Sequence, residues 1–339
     1  MHKFSLITAF ALMTFAFAAD EDQYYRWFGA PIESPETEIH AEGRIFERSD
    51  VKKYDGSVQM FESSMYAHIP LYSDCNNELT FNLHGSYLGL NDKGFSSEEL
   101  SLPSKVKRSL YSNLPSDLAD VRFGMAYRHE YGNGWQLGVG GTFGSASDDI
   151  FAHSETLVWS GAAFLKVPHG EYNAFYFYVD YDSNRAEHWM RKYPIPGIGY
   201  LFPLSETTYF MIGAPMSMFH WEPVERLKID ASYVALTSAN SRITFDITDR
   251  FSVYTGYKTN SQRYIDSKAH DTDQGFNYTD QRANVGIDFK FNDCISFGID
   301  SGYAWKRHLW AGEKLRHRHD NDIKLNNGWY GGAALNISF

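Results

Sequence analysis

The sequence is poor in cysteine and has no long apolar segment beyond its first residues. Cys75 and Cys294 are its only cysteines. They are too few for a small domain held together by disulfides, and the sequence leaves open whether they bond to each other. The mean hydropathy is −0.42, and no run beyond the N-terminal segment approaches the about 20 apolar residues that a membrane-spanning helix needs. The sequence therefore excludes a disulfide scaffold and a helical membrane protein.

Basic residues are also scarce. The chain has 31 Lys and Arg against 42 Asp and Glu, a net charge of −11; losing Lys3 with an N-terminal signal would make it 30 − 42 = −12. Because nucleic-acid binding relies on basic residues that neutralise phosphates, we expect no nucleic-acid partner.

No long stretch of the sequence shows the periodicity of a helix. We also expect no cofactor and no enzymatic activity.

The first 18 residues have the layout of a secretory signal peptide. Lys3 gives a short basic start, residues 4–18 carry no charge, and Ala16-Phe17-Ala18 forms an A-x-A cleavage site. Acidic residues from Asp20 onward end the apolar run before it is long enough for a membrane anchor. The sequence therefore predicts Sec export and removal of residues 1–18.

What the sequence has in abundance is aromatic side chains, and apolar residues that alternate with polar ones. Aromatic residues make up 17% of the chain, which is high for a soluble domain. In the segment NVGIDFKF, Val285, Ile287 and Phe289 alternate with Gly286 and Asp288. A period of two indicates a strand with one apolar face. Similar segments follow one another from residue 58 to the end of the chain.

The polar faces of these strands favour a membrane barrel over a soluble sandwich. They are rich in Gly and Ser and carry neighbouring opposite charges, which suits a confined lumen. Short turns such as Asn133-Gly134 alternate with longer connectors such as residues 91–118 and 309–327. These features predict an all-β protein, a transmembrane antiparallel up-and-down β-barrel of about 14 strands, within a range of about 12–16. Residues 57–339 would form the barrel, and residues 19–56 an irregular lead-in that serves as a plug or as a first strand.

The last strand carries a family resemblance. Leu335, Ile337 and Phe339 occupy alternate positions, and Phe339 ends the chain. The chain resembles bacterial outer-membrane β-barrel proteins, whose last strand ends on an aromatic residue that serves as an assembly signal. It is similar to a group of such barrels of unknown function. The resemblance implies the outer membrane of a Gram-negative bacterium as location, with outer-membrane lipid and the barrel-assembly machinery as partners.

Charged residues on the inner faces are the candidates for a function. The residues predicted to line the lumen are Asp120, Arg122, Arg128, Glu130, Asp288, Lys290 and Asp300. Their balanced signs suit a small pore of weak selectivity, narrowed by opposite charges such as Arg122 and Asp288. The first hypothesis is a passive channel or transporter for small solutes. The alternative is a structural or surface-interaction barrel without an open pore.

An outer-membrane lipid hydrolase is the least favoured hypothesis. It would need a Ser–His pair at a rim, with an orienting carboxylate. His84 and Ser86 share a strand face, and His153 precedes Ser154, but these residue types are common.

The most basic stretch, residues 306–322, is predicted to be an external loop. Its Arg307, Arg316 and Arg318 are candidates for contact with lipopolysaccharide, because guanidinium groups suit phosphate oxygens. His317 and His319 would share a strand face and could bind a metal. A solvated polar loop explains the same residues, and we expect no metal site.

Overall fold

The computed structural model describes residues 37–51, 56–93, 115–185, 187–205, 207–235, 238–268, 275–311 and 322–339. The predicted signal peptide and residues 19–36 lie outside these ranges, so their roles stay predictions. In the part of the chain that the structure describes, no helix has the length and apolar character to cross a membrane.

Antiparallel strands make up most of the described chain. The strands are β1 (Glu38–Phe46), β2 (Ser49–Asp50), β3 (Ser57–Ser73), β4 (Asn77–Lys93), β5 (Asp117–Glu130), β6 (Gln136–Ser147), β7 (Leu157–His169), β8 (Asn173–Asp182), β9 (Ile195–Ser205), β10 (Thr208–Ala214), β11 (Met216–Val224), β12 (Leu227–Val234), β13 (Ser238–Thr248), β14 (Phe251–Ile265), β15 (Gly275–Lys290), β16 (Ile295–Ala311), β17 (Asp322–Lys324) and β18 (Gly328–Ser338). A 3-10 turn at Ser154–Thr156 and the short helix α1 (His188–Lys192) are the helical elements of the described ranges.

The strands form one closed barrel. Neighbouring wall strands pair antiparallel in chain order, and β1 pairs with both β18 and β3, which joins the two ends of the sheet. Of the 18 strands, β2 and β17 are short rim segments, which leaves 18 − 2 = 16 strands in the wall. The predicted all-β, up-and-down barrel is confirmed, with 16 strands where about 14 were expected. β1 and β11 account for the difference.

β1 lies in the segment that the sequence analysis treats as a lead-in. It pairs along its whole length with β18, and Thr37 and Phe339 exchange backbone hydrogen bonds of 2.7 and 3.0 Å. The wall therefore begins at Glu38 rather than at residue 57. Residues 38–46 are a wall strand and not a plug.

The two ends of the barrel differ in their connections. At one end, here called the turn rim, the connections are short: they range in length from the two residues Glu225-Arg226 to the five residues 131–135. The first wall strand begins at this end, at Glu38, and the last one ends there, next to Phe339. At the other end, the loop rim, several connections are much longer, such as residues 94–116. In outer-membrane barrels short turns face the periplasm and longer loops face the outside.

A carboxylate holds one turn of the turn rim. Asp74 Oδ1 accepts hydrogen bonds of 2.8 Å from the backbone N–H groups of Asn76 and Asn77. Asp74 Oδ2 accepts a bond of 2.8 Å from the hydroxyl of Tyr72. These bonds, led by the one from Asn76, lower the pKa of Asp74 to about 2. The turn between β3 and β4 therefore keeps a charged carboxylate at neutral pH.

Alternation along the strands separates an apolar outer face from a polar inner face. On β5, Phe123 and Met125 are exposed outward, whereas Arg122 and Arg128 are buried inside. Near the turn rim, aromatic rings on the outer surface of β8–β11 contact one another in a row: Phe175, Tyr200, Phe202, Phe210, Phe219 and Trp221. An apolar exterior with aromatic rows around a polar interior is the surface of a transmembrane barrel of the outer-membrane type.

The barrel wall has two very different heights. The tall wall consists of β14, β15 and β16, with 15, 16 and 17 residues. The low wall consists of β10, β11 and β12, with 7, 9 and 8 residues. A tilted strand needs about 9–11 residues to cross a bilayer. The tall wall exceeds that length, and two strands of the low wall fall short of it.

Candidate functional site

The barrel interior is the candidate site, because the buried charge of the chain is concentrated there. Three residues predicted to line the lumen are buried: Asp120, Arg122 and Arg128. Three more are partly buried at inward positions: Glu130, Asp288 and Asp300. The seventh, Lys290, is exposed at the turn rim.

A buried arginine organises the inner face of the tall wall. Both terminal nitrogens of Arg282 donate to the carboxylate of Glu62 at 2.6 Å, and its Nε donates to Asp280 at 2.7 Å. The hydroxyl of Tyr278 donates to the same Asp280 oxygen at 2.7 Å. The guanidinium carbon also lies 4.9 Å from the ring centroid of Phe46, which is within range of a cation–π interaction. This network links β15 to β3 and β1 with one cation between two carboxylates.

Two further arginines continue the charged surface toward the turn rim. Arg44 pairs with Glu42 at 2.7 Å and lies 3.9 Å from Asp300. Arg242 donates to Asp288 at 2.5 Å, and its guanidinium carbon stacks 3.7 Å from the ring centroid of Tyr254. Because each of these cations already faces a carboxylate, this part of the interior presents little net electrostatic field to a passing ion.

A second charged group lies on the inner faces of β5 and β8. Arg122 binds Asp120 through two nitrogens at 2.7 and 2.8 Å, and its third nitrogen donates to Asp182 at 3.0 Å. Nearer the turn rim, Arg128 pairs with Glu78. The expected contact between Arg122 and Asp288 is not made, since each is engaged by a partner on its own side of the barrel.

The loop-rim end of β14 crosses the barrel instead of continuing the wall. β13 pairs with β14 only as far as Lys258, and beyond that point β14 pairs with β15 alone up to Ile265. Ile265 then pairs in parallel with Ser147 of β6, a strand on the far side of the barrel. Residues 260–267, here called the crossing segment, therefore join opposite walls.

Specific polar contacts hold the crossing segment in place. Asn184 donates to the backbone carbonyl of Arg263 at 2.8 Å, and the Arg263 guanidinium donates back to the Asn184 side chain at 2.9 Å. The backbone N–H of Ser267 donates to Asp148 at 2.8 Å. These bonds fix the segment to the connections that follow β6 and β8.

Apolar contacts complete the seal on both sides of the crossing segment. Ile265 packs with Ala146 and Val158 in a small buried cluster. Tyr264 belongs to a larger cluster that fills the loop-rim end of the interior, with members Phe46, Val51, Val58, Met60, Leu88, Leu90, Leu118, Phe276, Tyr278, Ala304, Leu309, Ile323, Leu325 and Tyr330. In this conformation the described residues close much of the loop-rim end.

Toward the loop rim, the inner face of the low wall carries mainly apolar side chains and, among the described residues, no charged ones. Its inward side chains include Tyr209, Met211, Met216, Met218 and Val234, all buried. They form one apolar cluster with the inner faces of the neighbouring strands β5 and β7–β9. Charged inner residues of β11 and β12, such as the pair His220 and Asp230 with 2.5 Å between Nδ1 and Oδ1, lie nearer the turn rim.

Arg307 is not on the outer surface, and this part of the lipopolysaccharide prediction is wrong. Lys306 has a φ of 51°, and the register of β16 against β15 shifts at the same level. This bulge exchanges the two faces of the strand, so Arg307 points inward and is 1% exposed. It donates to Ser49 Oγ at 2.5 Å and to the carbonyl of Asn326 at 3.2 Å.

The remaining candidates from the sequence are the other basic residues of the predicted loop, a metal site and the two cysteines. Arg316, Arg318, His317 and His319 lie outside the described residues. Within the described ranges, no group of three or more His, Cys, Asp or Glu side chains could hold a metal. Cys75 and Cys294 are free and exposed, in different turns of the turn rim.

The Ser–His pair considered for a hydrolase lies on the inner face of β4, away from the rims. His84 is opposite Arg122 on β5, and Ser86 is opposite Asp120. Both carboxylate oxygens of Asp120 accept hydrogen bonds from Arg122. That carboxylate is therefore already engaged in an ion pair with Arg122.

The interior networks also depend on four residues that are not among those predicted from the sequence to line the lumen: Glu62, Asp182, Asp280 and Arg282. In the segment NVGIDFKF the alternation is evident from Asn284 onward. Continuing the period of two from Val285 back through Ala283 and Gln281 places Arg282 and Asp280 on the inner face. That extension was available from the sequence.

No protein-family model matches this sequence, and no curated protein matches it in sequence. Solved structures show a general likeness. An outer membrane channel from Pseudomonas putida F1 is 10% identical with a TM-score of 0.38, covering 90% of this chain and 96% of that one. The translocator domain of the autotransporter NalP from Neisseria meningitidis is 8% identical with a TM-score of 0.32, covering 90% and 89%.

The Pseudomonas putida toluene transporter TodX is 9% identical with a TM-score of 0.33, covering 100% of this chain and 98% of that one. At these scores, none of the likenesses indicates what this chain binds or carries.

Proposed function

We propose that the protein is a passive conduit for small solutes in the outer membrane of a Gram-negative bacterium, narrowed at its loop rim by the crossing segment. The observation that carries the proposal is the contact of Ile265 with Ser147 across the barrel. A barrel of 16 strands is of the size that leaves an aqueous channel in porins. The crossing segment reaches the far wall through Ile265 and is tied there by its bonds with Asn184 and Asp148, so its displacement would widen the passage.

The paired charges of the interior support weak discrimination between anions and cations. Arg282, Arg122 and Arg242 each lie against at least one carboxylate. An unpaired ring of one sign would favour counter-ions, whereas alternating signs largely cancel the field along the axis. We therefore infer that size, more than charge, limits what passes.

A structural or surface-interaction barrel without an open pore is the second candidate. The observation that favours it is the Arg282 network, whose side chains are buried and connect three strands. Such a network stiffens the interior and holds its arginine between two carboxylates. This candidate predicts no solute flux in any state of the crossing segment.

Strand β18, which closes the barrel by pairing with β1, carries the predicted assembly signal. Leu335 and Phe339 are exposed on the outer face, with Ile337 partly exposed between them. We propose that these three side chains form the signal read by the barrel-assembly machinery, because they occupy one face of the last strand at the turn rim.

A reversible cross-link tests the conduit directly. Ser147→Cys and Ile265→Cys would be combined in a chain that also carries Cys75→Ser and Cys294→Ser, since both native thiols are exposed. Efflux of arabinose from proteoliposomes would be measured before and after reduction. We expect slow efflux when the disulfide is formed and faster efflux when it is reduced, because the reduced segment can leave β6.

The chain with Ser147→Cys alone is the matched control, and it should respond to neither oxidant nor reductant. Arabinose efflux no greater than that of protein-free vesicles, in the oxidised, reduced and unmodified proteins alike, would reject the conduit and favour the structural candidate. Equal, rapid efflux in the oxidised and reduced states would reject the crossing segment as the constriction.

A further inference from the structure

The low wall is too short for the bilayer that the rest of the barrel fits. β10 has 7 residues and β12 has 8. At a rise of about 3.3 Å per residue and a tilt of about 45°, these strands span about 16–19 Å along the membrane normal. The apolar band of an outer-membrane barrel is about 25 Å tall.

No described element extends the low wall beyond its loop-rim end. β10 and β11 are joined by Pro215 alone. β12 and β13 are joined by residues 235–237, of which residue 235 is described. β14 could stand above its neighbour β13, but beyond Lys258 it leaves β13 and crosses the barrel. The shortness therefore belongs to the wall itself.

The outer face of the low wall is apolar up to that end. Ile212 is 62% exposed and Tyr233 is 54% exposed, and Ala214, the last residue of β10, is also exposed. The one hydroxyl at an outward position between Pro215 and Trp221 is that of Ser217. It is bonded to the backbone of Gly213 at 3.1 and 3.2 Å. Apart from the phenol of Tyr233 at the loop-rim end, the outward side chains named here are apolar or, like Ser217, bonded to the wall.

The aromatic residues mark the same difference in height. Trp221 is opposite Ile229 on β12, so the outward aromatic residues Trp221 and Tyr233 are separated by 233 − 229 = 4 positions of strand. On β18, the outward Trp329 and Phe339 are 339 − 329 = 10 positions apart. With the same rise and tilt, these separations correspond to about 9 Å and about 23 Å. Aromatic belts mark the two interfaces of a membrane.

We propose that the low wall is an interaction surface for a locally thinned bilayer, in which the lipid headgroups on the loop-rim side descend to the level of Ala214 and Tyr233. Lipid is the partner that fits, because the face is apolar over its full height and its polar backbone groups are paired within the sheet. A bilayer adapts to a short hydrophobic span by local thinning. The tall wall beside it keeps the bilayer at ordinary thickness.

Three spin-labelled positions test this surface. Ala214 and Tyr233 are the seventh residues of β10 and β12 from the turn rim, and Ala333 is the seventh residue counted back from Phe339 on β18. Ala214→Cys, Tyr233→Cys and Ala333→Cys would each be made with Cys75→Ser and Cys294→Ser, labelled, and placed in dioleoylphosphatidylcholine vesicles. Collision of each label with oxygen, which enters hydrocarbon, and with a water-soluble nickel chelate would be measured.

We expect the labels at positions 214 and 233 to collide with the nickel chelate severalfold more often than the label at position 333. Oxygen should dominate at position 333. Two low-wall positions keep the test open if one variant fails to fold.

Equal, oxygen-dominated collision at all three positions would overturn the proposal, because it would mean a bilayer of uniform thickness. Low collision with both reagents at the low wall, together with spectral broadening between labels on different molecules, would also overturn it. That result would assign the surface to a second copy of the chain. Neither outcome depends on whether the barrel conducts solutes.

Discussion

The tall wall and the low wall follow the same strand periodicity but differ in height and in what they carry inside. β14–β16 are long, apolar outside and charged inside, with Asp288 and Arg282 on the inner face of β15. β10–β12 are short and apolar on both faces toward the loop rim, with Met211 and Met218 inside. Outer faces are set by contact with lipid in both regions. Inner faces are free to differ, so they indicate what each region of the barrel does.

The difference also separates two ways of holding the wall together. On the tall side, charges are buried between strands that are far apart in the chain, such as Glu62 and Arg282. On the low side, adjacent strands are joined by contacts between neighbouring apolar side chains. The stability of the tall side therefore depends on every buried charge keeping its partner. The stability of the low side depends on side-chain volume that fills the space between the strands.

The largest expected effect follows from breaking the tall-side network. Arg282→Ala leaves Glu62 and Asp280 as buried carboxylates without their cation, and we expect a loss of about 3–5 kcal/mol in the free energy of unfolding. On the low side, Met211→Leu keeps the volume and should cost less than about 1.5 kcal/mol. Urea unfolding in lipid vesicles, followed by tryptophan fluorescence, measures both.

A compensated variant checks the cause of that loss. Arg282→Met combined with Glu62→Gln and Asp280→Asn removes all three charges at once, and it should recover most of the stability, because no buried charge is left unpaired. If Arg282→Ala and Met211→Leu cost the same, the two walls are not held together in different ways.

A smaller effect is expected from charges placed on the outer face. Val285 on the tall wall is 63% exposed and Ile212 on the low wall is 62% exposed, so the two positions are matched. Val285→Arg should cost about 2–4 kcal/mol because it lies near the membrane midplane, and Ile212→Arg about 0–1 kcal/mol because headgroups lie close to it. The same unfolding assay applies. Equal losses at the two positions would argue against a difference in membrane thickness.

The fold was predictable because outer-face alternation is a local signal. The segment around Ile287 and the terminal segment around Ile337 each show one apolar face, and both are wall strands. β11 is difficult to predict from the sequence, because inward Met216 and Met218 alternate with outward Phe219 and Trp221, so both faces are apolar. With apolar side chains on both faces, the alternation between apolar and polar residues cannot be seen in β11. Alternation therefore does not reveal β11, although it does indicate β10 and β12 on either side of it.

The interior was predictable only in part. Inward positions such as Arg122 follow from the alternation, but the identity of a partner such as Asp182 depends on how distant strands are brought together. The bulge at Lys306 reverses the faces of β16 and moves Arg307 inside, and the sequence carries no local signal for it. The crossing of β14 to β6 likewise depends on β13 beside it ending before β14 does, a property of the assembled sheet.

Single-channel recording of the full-length protein in planar bilayers tests the central claim, that a barrel with a balanced charged interior is narrowed by the crossing segment. We predict small conductance with weak ion selectivity. Conductance should rise when Arg263→Ala and Ile265→Ala together weaken the contacts with Asn184 and β6. Large and strongly ion-selective conductance in the unmodified protein would contradict the account.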